Sequence, residues 1–320
     1  MKRILSVILP LIGLAIFVWI IRGIGVDKIL DAFRNVDPRK LAAFPIFTVF
    51  IFWIRGLRWW LLMRVVGIEY TQWRSAVVWS IGFFAAAITP GKVGDALRAF
   101  YLSRETGRNF GESFVTVFVD RLMDLGTVLI AGVITLLIFS YYYIDLPSVW
   151  LFVIVVLAVF GGIYLVLHRG LMKKLIGPAV KLVVPERYRG MLGAHVHGFY
   201  DSLADYPRQW RLTLAAYGLC LGFWTGVIVL AYSVTQLLGI DISFGYVVLM
   251  MPAVTLVEIL PISISGLGTR EASVIFFFSL VGLSSAEAVG FSITYLLIGT
   301  YLTALVGFIA WLANPAKLRQ

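Results

Sequence analysis

Six predominantly apolar stretches of helix-spanning length recur along the chain: Ile4 to Ile21, Leu41 to Leu62, Ser113 to Tyr141, Ser148 to Leu167, Leu212 to Leu237 and Ala288 to Ala313. At about 1.5 Å of rise per residue, each can cross a hydrocarbon core roughly 30 Å thick. The first follows Lys2 and Arg3, as a secretory leader would, but it is long for a leader and no small-residue cleavage site precedes Arg22. It reads as a transmembrane helix. Two further apolar stretches, Ser75 to Thr89 and Gly245 to Leu260, reach only about 22 to 24 Å as helices. Each ends in a Pro/Gly break before a new helical pattern: Pro90-Gly91-Lys92-Val93-Gly94 before Asp95 to Arg104, and Pro261 to Gly268 before Thr269 to Val281. They read as re-entrant or broken hairpins. Lipid cannot satisfy the free N–H and C=O groups of irregular backbone, so both breaks are expected to mark a cavity.

Gly91-Lys92-Val93-Gly94-Asp95 can be laid over Ser265-Gly266-Leu267-Gly268-Thr269, with Asp95 and Thr269 as residues of N-cap type. The expected fold is therefore all-α: a single polytopic membrane domain with about six spanning helices and two re-entrant hairpins. Three crossings per half make the halves, 1–144 and 145–320, an inverted repeat. Lys and Arg are dense from His168 to Arg211, recur at Lys317 and Arg319, and are missing from Tyr142 to Pro147 and Gly239 to Ser243. This places the long basic connection and both termini in the cytoplasm of a cell-membrane protein. Arg22 to Lys40 runs against the pattern, carrying five Lys/Arg on the outer side. Val26 to Phe33 and Leu171 to Val184 read as amphipathic helices along the interface, the latter with Lys173, Lys174 and Lys181 on its polar side.

Composition agrees with the pattern. Of 320 residues 60% are hydrophobic and 14% charged, with a mean hydropathy of +0.93, which excludes a water-soluble fold of this size. The net charge of +10 suits cytoplasmic loops facing anionic lipid and calls for no nucleic acid. The single Cys220 cannot form an intramolecular disulfide. His195 and His197 are two apart, too close in sequence to share a metal on one helix face. No metal or other cofactor is expected.

The informative residues are charges inside apolar segments, which are costly there and usually face a cavity or one another. Lys92, Gly94, Asp95 and Arg98 cluster at the first break, where a half-helix N-terminus favours an anion such as phosphate. Ser263, Ser265, Gly266, Gly268, Arg270 and Glu271 form the second cluster, with Glu258 one to two turns earlier. On the third long helix Asp120, Arg121 and Asp124 are spaced so that Arg121 can pair with Asp124, either to fix packing or to serve a headgroup or coupling ion. Arg55 and Arg58, beside Trp53, Trp59 and Trp60, read as interfacial anchors.

Four segments occur in order: Arg58-Trp59, Pro90 to Arg98 (PGKVGDALR), Asp120 to Asp124 (DRLMD) and Leu260 to Glu271 (LPISISGLGTRE). Together they resemble the lysylphosphatidylglycerol synthase transmembrane-region, or flippase-like, family, the last segment being the most specific. The resemblance covers nearly the whole chain and implies a lipid-translocating membrane domain. Asp95 and Asp120 stand where Glu is commoner in that family, and Lys92 where Arg is frequent. The charges are kept, although Lys lacks the bidentate fork of Arg. The aminoacyl-transfer activity of full-length family members resides in a cytosolic domain and is not expected to carry over.

The expected function is translocation of a phospholipid or a lipid-linked anionic headgroup, not catalysis. Membrane lipids, phospholipid or polyprenyl-phosphate-linked, are the expected partners, with a homo-oligomer or a separate cytosolic enzyme as further candidates. A membrane-embedded transferase using Asp95, Asp120 or Glu258 as base, or a partner subunit of a lipid- or glycan-modifying enzyme, are the alternatives. In the expected mechanism Lys92 and Arg98 bind phosphate from one side and Arg270 with Glu271 from the other. Asp120, Asp124 or Glu258 binds a proton or a cationic headgroup during the switch. No Gly-x-x-x-x-Gly-Lys-[Ser/Thr] motif is present, so the driving energy is expected from a gradient.

Overall fold

The computed structural model describes residues 22, 38–142, 149–183, 185–259 and 268–313. The first expected span, Ile4 to Ile21, and the amphipathic stretch Val26 to Phe33 lie outside them, as do Ser263, Ser265 and Gly266. Among the described residues every regular element is a helix. In order these are α1 (Pro38–Val65), α2 (Gln72–Ile88), a 3-10 segment (Pro90–Asp95), α3 (Ala96–Thr106) and α4 (Phe110–Tyr142), then α5 (Val149–Leu167), α6 (Arg169–Val183), α7 (Glu186–Leu203) and α8 (Asp205–Arg208). The chain continues through α9 (Trp210–Leu237), α10 (Phe244–Ile259), α11 (Thr269–Ser279), α12 (Ser285–Leu296), a π-helical turn (Leu297–Tyr301) and α13 (Leu302–Ala313).

Four helical stretches are long and apolar enough to cross a membrane: Phe44–Val65, Phe110–Tyr142, Trp210–Leu237 and Ser285–Ala313. A fifth is the bent pair α5 and α6, whose axes turn by 93°. The expected straight span ending at Leu167 thus leads directly into a helix lying across it. That turn fits the composition of α6, in which Arg169, Lys173 and Lys174 interrupt the apolar pattern and favour the interface over the hydrocarbon.

Both short apolar segments form hairpins. Thr71 caps α2 by accepting from the Arg74 amide. Arg74 Nε donates to Glu105 Oε2 at 3.0 Å and the Tyr70 hydroxyl to the same oxygen at 2.5 Å. The start of α2 is therefore clasped to the end of α3, and the chain leaves where it entered. In the second hairpin the Tyr246 hydroxyl, near the start of α10, donates to the Phe277 carbonyl near the end of α11, at 2.6 Å. The two hairpins enter from opposite ends of α1. The base of the first meets the end of α1, where Trp60 Nε1 donates to the Tyr70 carbonyl at 2.8 Å. The base of the second shares an apolar cluster with Phe44 at the start of α1, together with Phe139, Leu237, Tyr246 and Phe277.

Helices in lipid gain little from hydrophobic association and rely on close van der Waals approach at small residues. Here α1 packs on α9, α2 on α13 and α10 on α4. At the α2–α13 crossing a Cβ on Gly307 would sit 2.1 Å from the Ser80 carbonyl oxygen. Only glycine fits there.

Candidate functional site

The tip of the first hairpin is built around charge. The 3-10 segment lets the backbone fold tightly: Gly94 N–H donates to Thr89 Oγ1 at 2.9 Å, and a Cβ at Gly94 would lie 2.2 Å from the Ala85 carbonyl carbon. From this tip α3 carries Arg98 back into the bundle, over Gly82, where a Cβ would collide with the Arg98 side chain at 2.2 Å. Arg98 is fully buried. Its Nη1 donates to Asp120 Oδ2 at 2.9 Å, its Nη2 lies 3.4 Å from Asp95 Oδ1, and its guanidinium stands over the Trp59 ring at 5.3 Å.

Arg58 supplies the second bridge. Its Nε donates to Asp120 Oδ1 at 2.7 Å and its Nη1 to Asp124 Oδ1 at 2.8 Å. Arg121 lies 2.6 Å from Asp95 Oδ2 and 3.4 Å from Asp124 Oδ2. Arg55 pairs with Asp124 as well and lies between the rings of Phe223 and Trp79, 4.0 and 5.3 Å from their centroids. The Cys220 thiol reaches Asp124 Oδ1 at 3.7 Å. Among the described side chains four guanidiniums thus face three carboxylates. Arg98 Nε and Arg55 Nε are buried donors without a hydrogen-bond partner, so the network has both charge and donors left over for an anion.

At the second hairpin the described residues hold a smaller charged cluster. Gly268 adopts φ 84°, a conformation that favours glycine, and caps α11. Its N–H donates to Glu271 Oε2 at 2.6 Å. Glu271 Oε1 accepts from Ser292 at 2.6 Å, and Arg270 donates to Ser292 Oγ at 3.0 Å and to Glu258 Oε1 at 2.9 Å. Arg270 Nη2 is 3.4 Å from Glu271. One guanidinium here faces two carboxylates, the reverse of the first site.

Several expectations need correction. Arg55 and Arg58 are not interfacial anchors: both are buried. Their partners, Asp120 and Asp124, lie far along the chain on α4, where reading α1 alone does not reach them. Asp95 makes no cap hydrogen bond, because Arg121 and Arg98 draw its carboxylate into the network. Thr269 is the first helical residue, and Gly268 takes the cap position. Among the described residues Arg58, Arg98 and Asp120 of the first cluster, and Arg270 and Glu271 of the second, are buried against their ion-pair partners. A depression of about 520 Å³ lies at the base of the first hairpin beside Tyr70, Arg74, Glu105 and Arg108. The Arg121–Asp124 pairing occurs as expected. Lys92 lies in the 3-10 segment. Sequence reading missed Ser292 and the stacking partners Trp79 and Phe223, whose roles depend on packing between helices distant in sequence.

Outside the spans, the hairpin clasp shifts two groups. Burial opposes ionisation of Glu105, but its hydrogen bonds from Arg74 and Tyr70 outweigh this and hold it below the ordinary carboxylate value. Burial and the hydrogen bond to Glu105 push the Tyr70 phenol up.

Residues 5–307 match the family model described as the lysylphosphatidylglycerol synthase TM region. A UPF0104 membrane protein of Methanocaldococcus jannaschii is 25% identical, covering 96% of this chain and 94% of that protein. One from Methanothermobacter thermautotrophicus is 24% identical over 95% and 94% respectively. One from Pyrococcus horikoshii is 20% identical with 99% of each chain covered.

Proposed function

Because the chain belongs to the lysylphosphatidylglycerol synthase TM-region family, we propose that this multi-pass membrane protein translocates a phospholipid or another lipid with an anionic phosphate headgroup, and that it is not an enzyme. The observation that carries this reading is the buried network of four arginines and three aspartates at the first hairpin tip. A sealed site with one surplus positive charge and unpartnered Arg98 and Arg55 donors is suited to a single phosphate anion, which guanidinium recognises strongly. Headgroup entry would loosen the ion pairs of Arg98 and Arg121 with Asp95 while the acyl chains stay in lipid.

The rest of the reading concerns sidedness. Arg74, Arg104, Arg108 and the residues of α6 to α8 share the end at which the first hairpin opens, as the contacts of Asn109 with His195 and of Leu62 with Tyr206 place them together. By the positive-inside rule that end is cytoplasmic in a cell membrane. The second hairpin then opens outward, and 1–144 and 145–320 act as inverted halves that expose the site alternately.

The test uses purified protein in liposomes with fluorescent phosphatidylglycerol, phosphatidylethanolamine and polyprenyl-phosphate probes, read with a membrane-impermeant quencher. The wild type is expected to move at least one phosphate lipid. Arg98→Lys, which keeps the charge but loses the fork, is expected to cut the rate about tenfold without lowering thermal stability by more than a few degrees. A wild type that moves none of the probes would count against translocation and favour a lipid-modifying enzyme or a partner subunit.

A further inference from the structure

Resting on the translocator reading, we propose that Glu258 is the proton-binding carboxylate that couples lipid movement to a proton gradient. Elimination identifies it. Each other acidic group in the two charged tips is held by several donors: Asp120 by Arg58 and Arg98, Asp124 by Arg55, Arg58 and Arg121, Asp95 by Arg98 and Arg121. Glu271 is held by Gly268 N–H, Ser292 and Arg270. Among the described residues Glu258 has one polar partner, Arg270 Nη1 at 2.9 Å, and its side chain is 24% exposed, whereas Arg270 is 1% exposed and Glu271 0%. It is the carboxylate of this tip with accessible surface.

Charge arithmetic gives the proton its effect. With both glutamates ionised, Arg270 leaves the second tip with one surplus negative charge. A proton on Glu258 leaves the neutral pair Arg270–Glu271, with Ser292 still bridging them. A neutral cluster can be sealed from water at far lower cost than a charged one, so the protonation state selects between an open and a closed tip. Around Glu258, α11 presents Arg270 and Glu271, and α12 carries Ser292 and the titratable Tyr295. The contacts with α4 and α9 are apolar: Leu256 lies against Gly132, and Val234, Leu237 and Met250 share one cluster. The step is simple in its balance: the carboxylate takes one proton from the water on the side to which the tip is open and releases it to the other side.

Two readouts separate this proposal from the translocator reading. The first is infrared difference spectroscopy of reconstituted protein during acid titration, for which the wild type is expected to show a carboxylic acid band that Glu258→Gln lacks. The second is the leaflet distribution of a trace fluorescent phosphatidylglycerol under an imposed pH gradient, with the electrical potential clamped. One proton per lipid makes each pH unit worth about a tenfold leaflet ratio. The wild type is expected to approach that ratio, while Glu258→Gln, which keeps the Arg270–Glu271 pair, leaves it near one. Retention of the band in Glu258→Gln, or an unchanged gradient response in it, would overturn the proposal. If the wild type moves no lipid, the translocator reading falls, and proton binding at Glu258 is then decided by the band alone.

Discussion

The two hairpins solve the same architectural problem with opposite electrostatics. Each pairs two short helices, and each holds buried charge near the ends at which the first helix stops and the second begins. The first surrounds three carboxylates with four guanidiniums spread over α1, α3 and α4. The second sets a single guanidinium between two carboxylates and a serine. Redundancy is the lesson. In the first network no aspartate depends on one arginine, so a guanidinium can release its partner to hold an incoming anion while the others keep the carboxylates compensated. In the second, Arg270 is the one cation among the described side chains, and the freedom lies with a carboxylate instead.

The largest expected effect breaks that comparison at its root. Arg270→Ala leaves Glu258 and Glu271 buried or half-buried without a cation, a change of the kind that costs about 3–5 kcal/mol. Arg58→Ala leaves Asp120 with Arg98, and Asp124 with Arg55 and Arg121, so its cost is expected to be smaller. Thermal unfolding of both variants in detergent measures the order, and a less stable Arg58→Ala would refute the redundancy. Loss of transport in Arg270→Ala would therefore report a loss of fold as much as of a ligand.

The glycines at the two tips differ next. At Gly94 the obstacle is space, since an added Cβ meets the Ala85 carbonyl carbon at 2.2 Å, and Gly94→Ala is expected to cost about 1–3 kcal/mol through overpacking. At Gly268 the obstacle is the backbone, φ 84°, and Gly268→Ala is expected to cost about 1–3 kcal/mol through strain. The colliding atoms are the Ala85 carbonyl and the Ala86 amide nitrogen, so Ala85→Gly, which removes only a methyl, should give Gly94→Ala no rescue in thermal unfolding. A Gly94→Ala variant as stable as the wild type would remove the steric account.

The smallest effect lies at the base of the first hairpin. Glu105 is partly exposed, so its clasp with Arg74 and Tyr70 is worth about 1 kcal/mol or less. Its pKa is lowered in the fold, so the contribution is present above the unfolded carboxylate value and is lost as pH falls through the folded value. The stability difference between wild type and Glu105→Gln should accordingly shrink toward zero on acidification. A difference that is constant with pH would mean that the clasp is not ionic.

Much of this was legible in the sequence, for physical reasons. Helix length and apolar content are local properties, so the long spans of α1, α4, α9 and α12–α13 could be read directly. The two hairpins announced themselves by being too short to cross and by ending in Pro/Gly breaks. The bend between α5 and α6 agrees with the reading of a span ending at Leu167 and an interfacial helix from Leu171, whose lysines mark its polar side. The site was only half legible. Buried charges on α3 and α4 stood out because they are expensive in apolar segments, but Arg55 and Arg58 looked like anchors beside tryptophans. What decides their role is pairing with Asp120 and Asp124 across the bundle, and no local pattern encodes that. Asp95 misled for the same reason: a residue of capping type was taken by a tertiary ion pair.

The most direct test of the central claim, that the arginine-rich tip binds the lipid phosphate, is photocrosslinking. A phospholipid carrying a photoactivatable group on its headgroup is irradiated with the protein in bilayers, and the adducts are mapped by peptide mass spectrometry. The account predicts adducts on the first hairpin tip and the facing turns of α1 and α4 around Arg58 and Asp120, reduced in Arg98→Lys. Adducts confined to lipid-facing positions such as Ile154 and Leu157 of α5, and unaffected by that substitution, would contradict it.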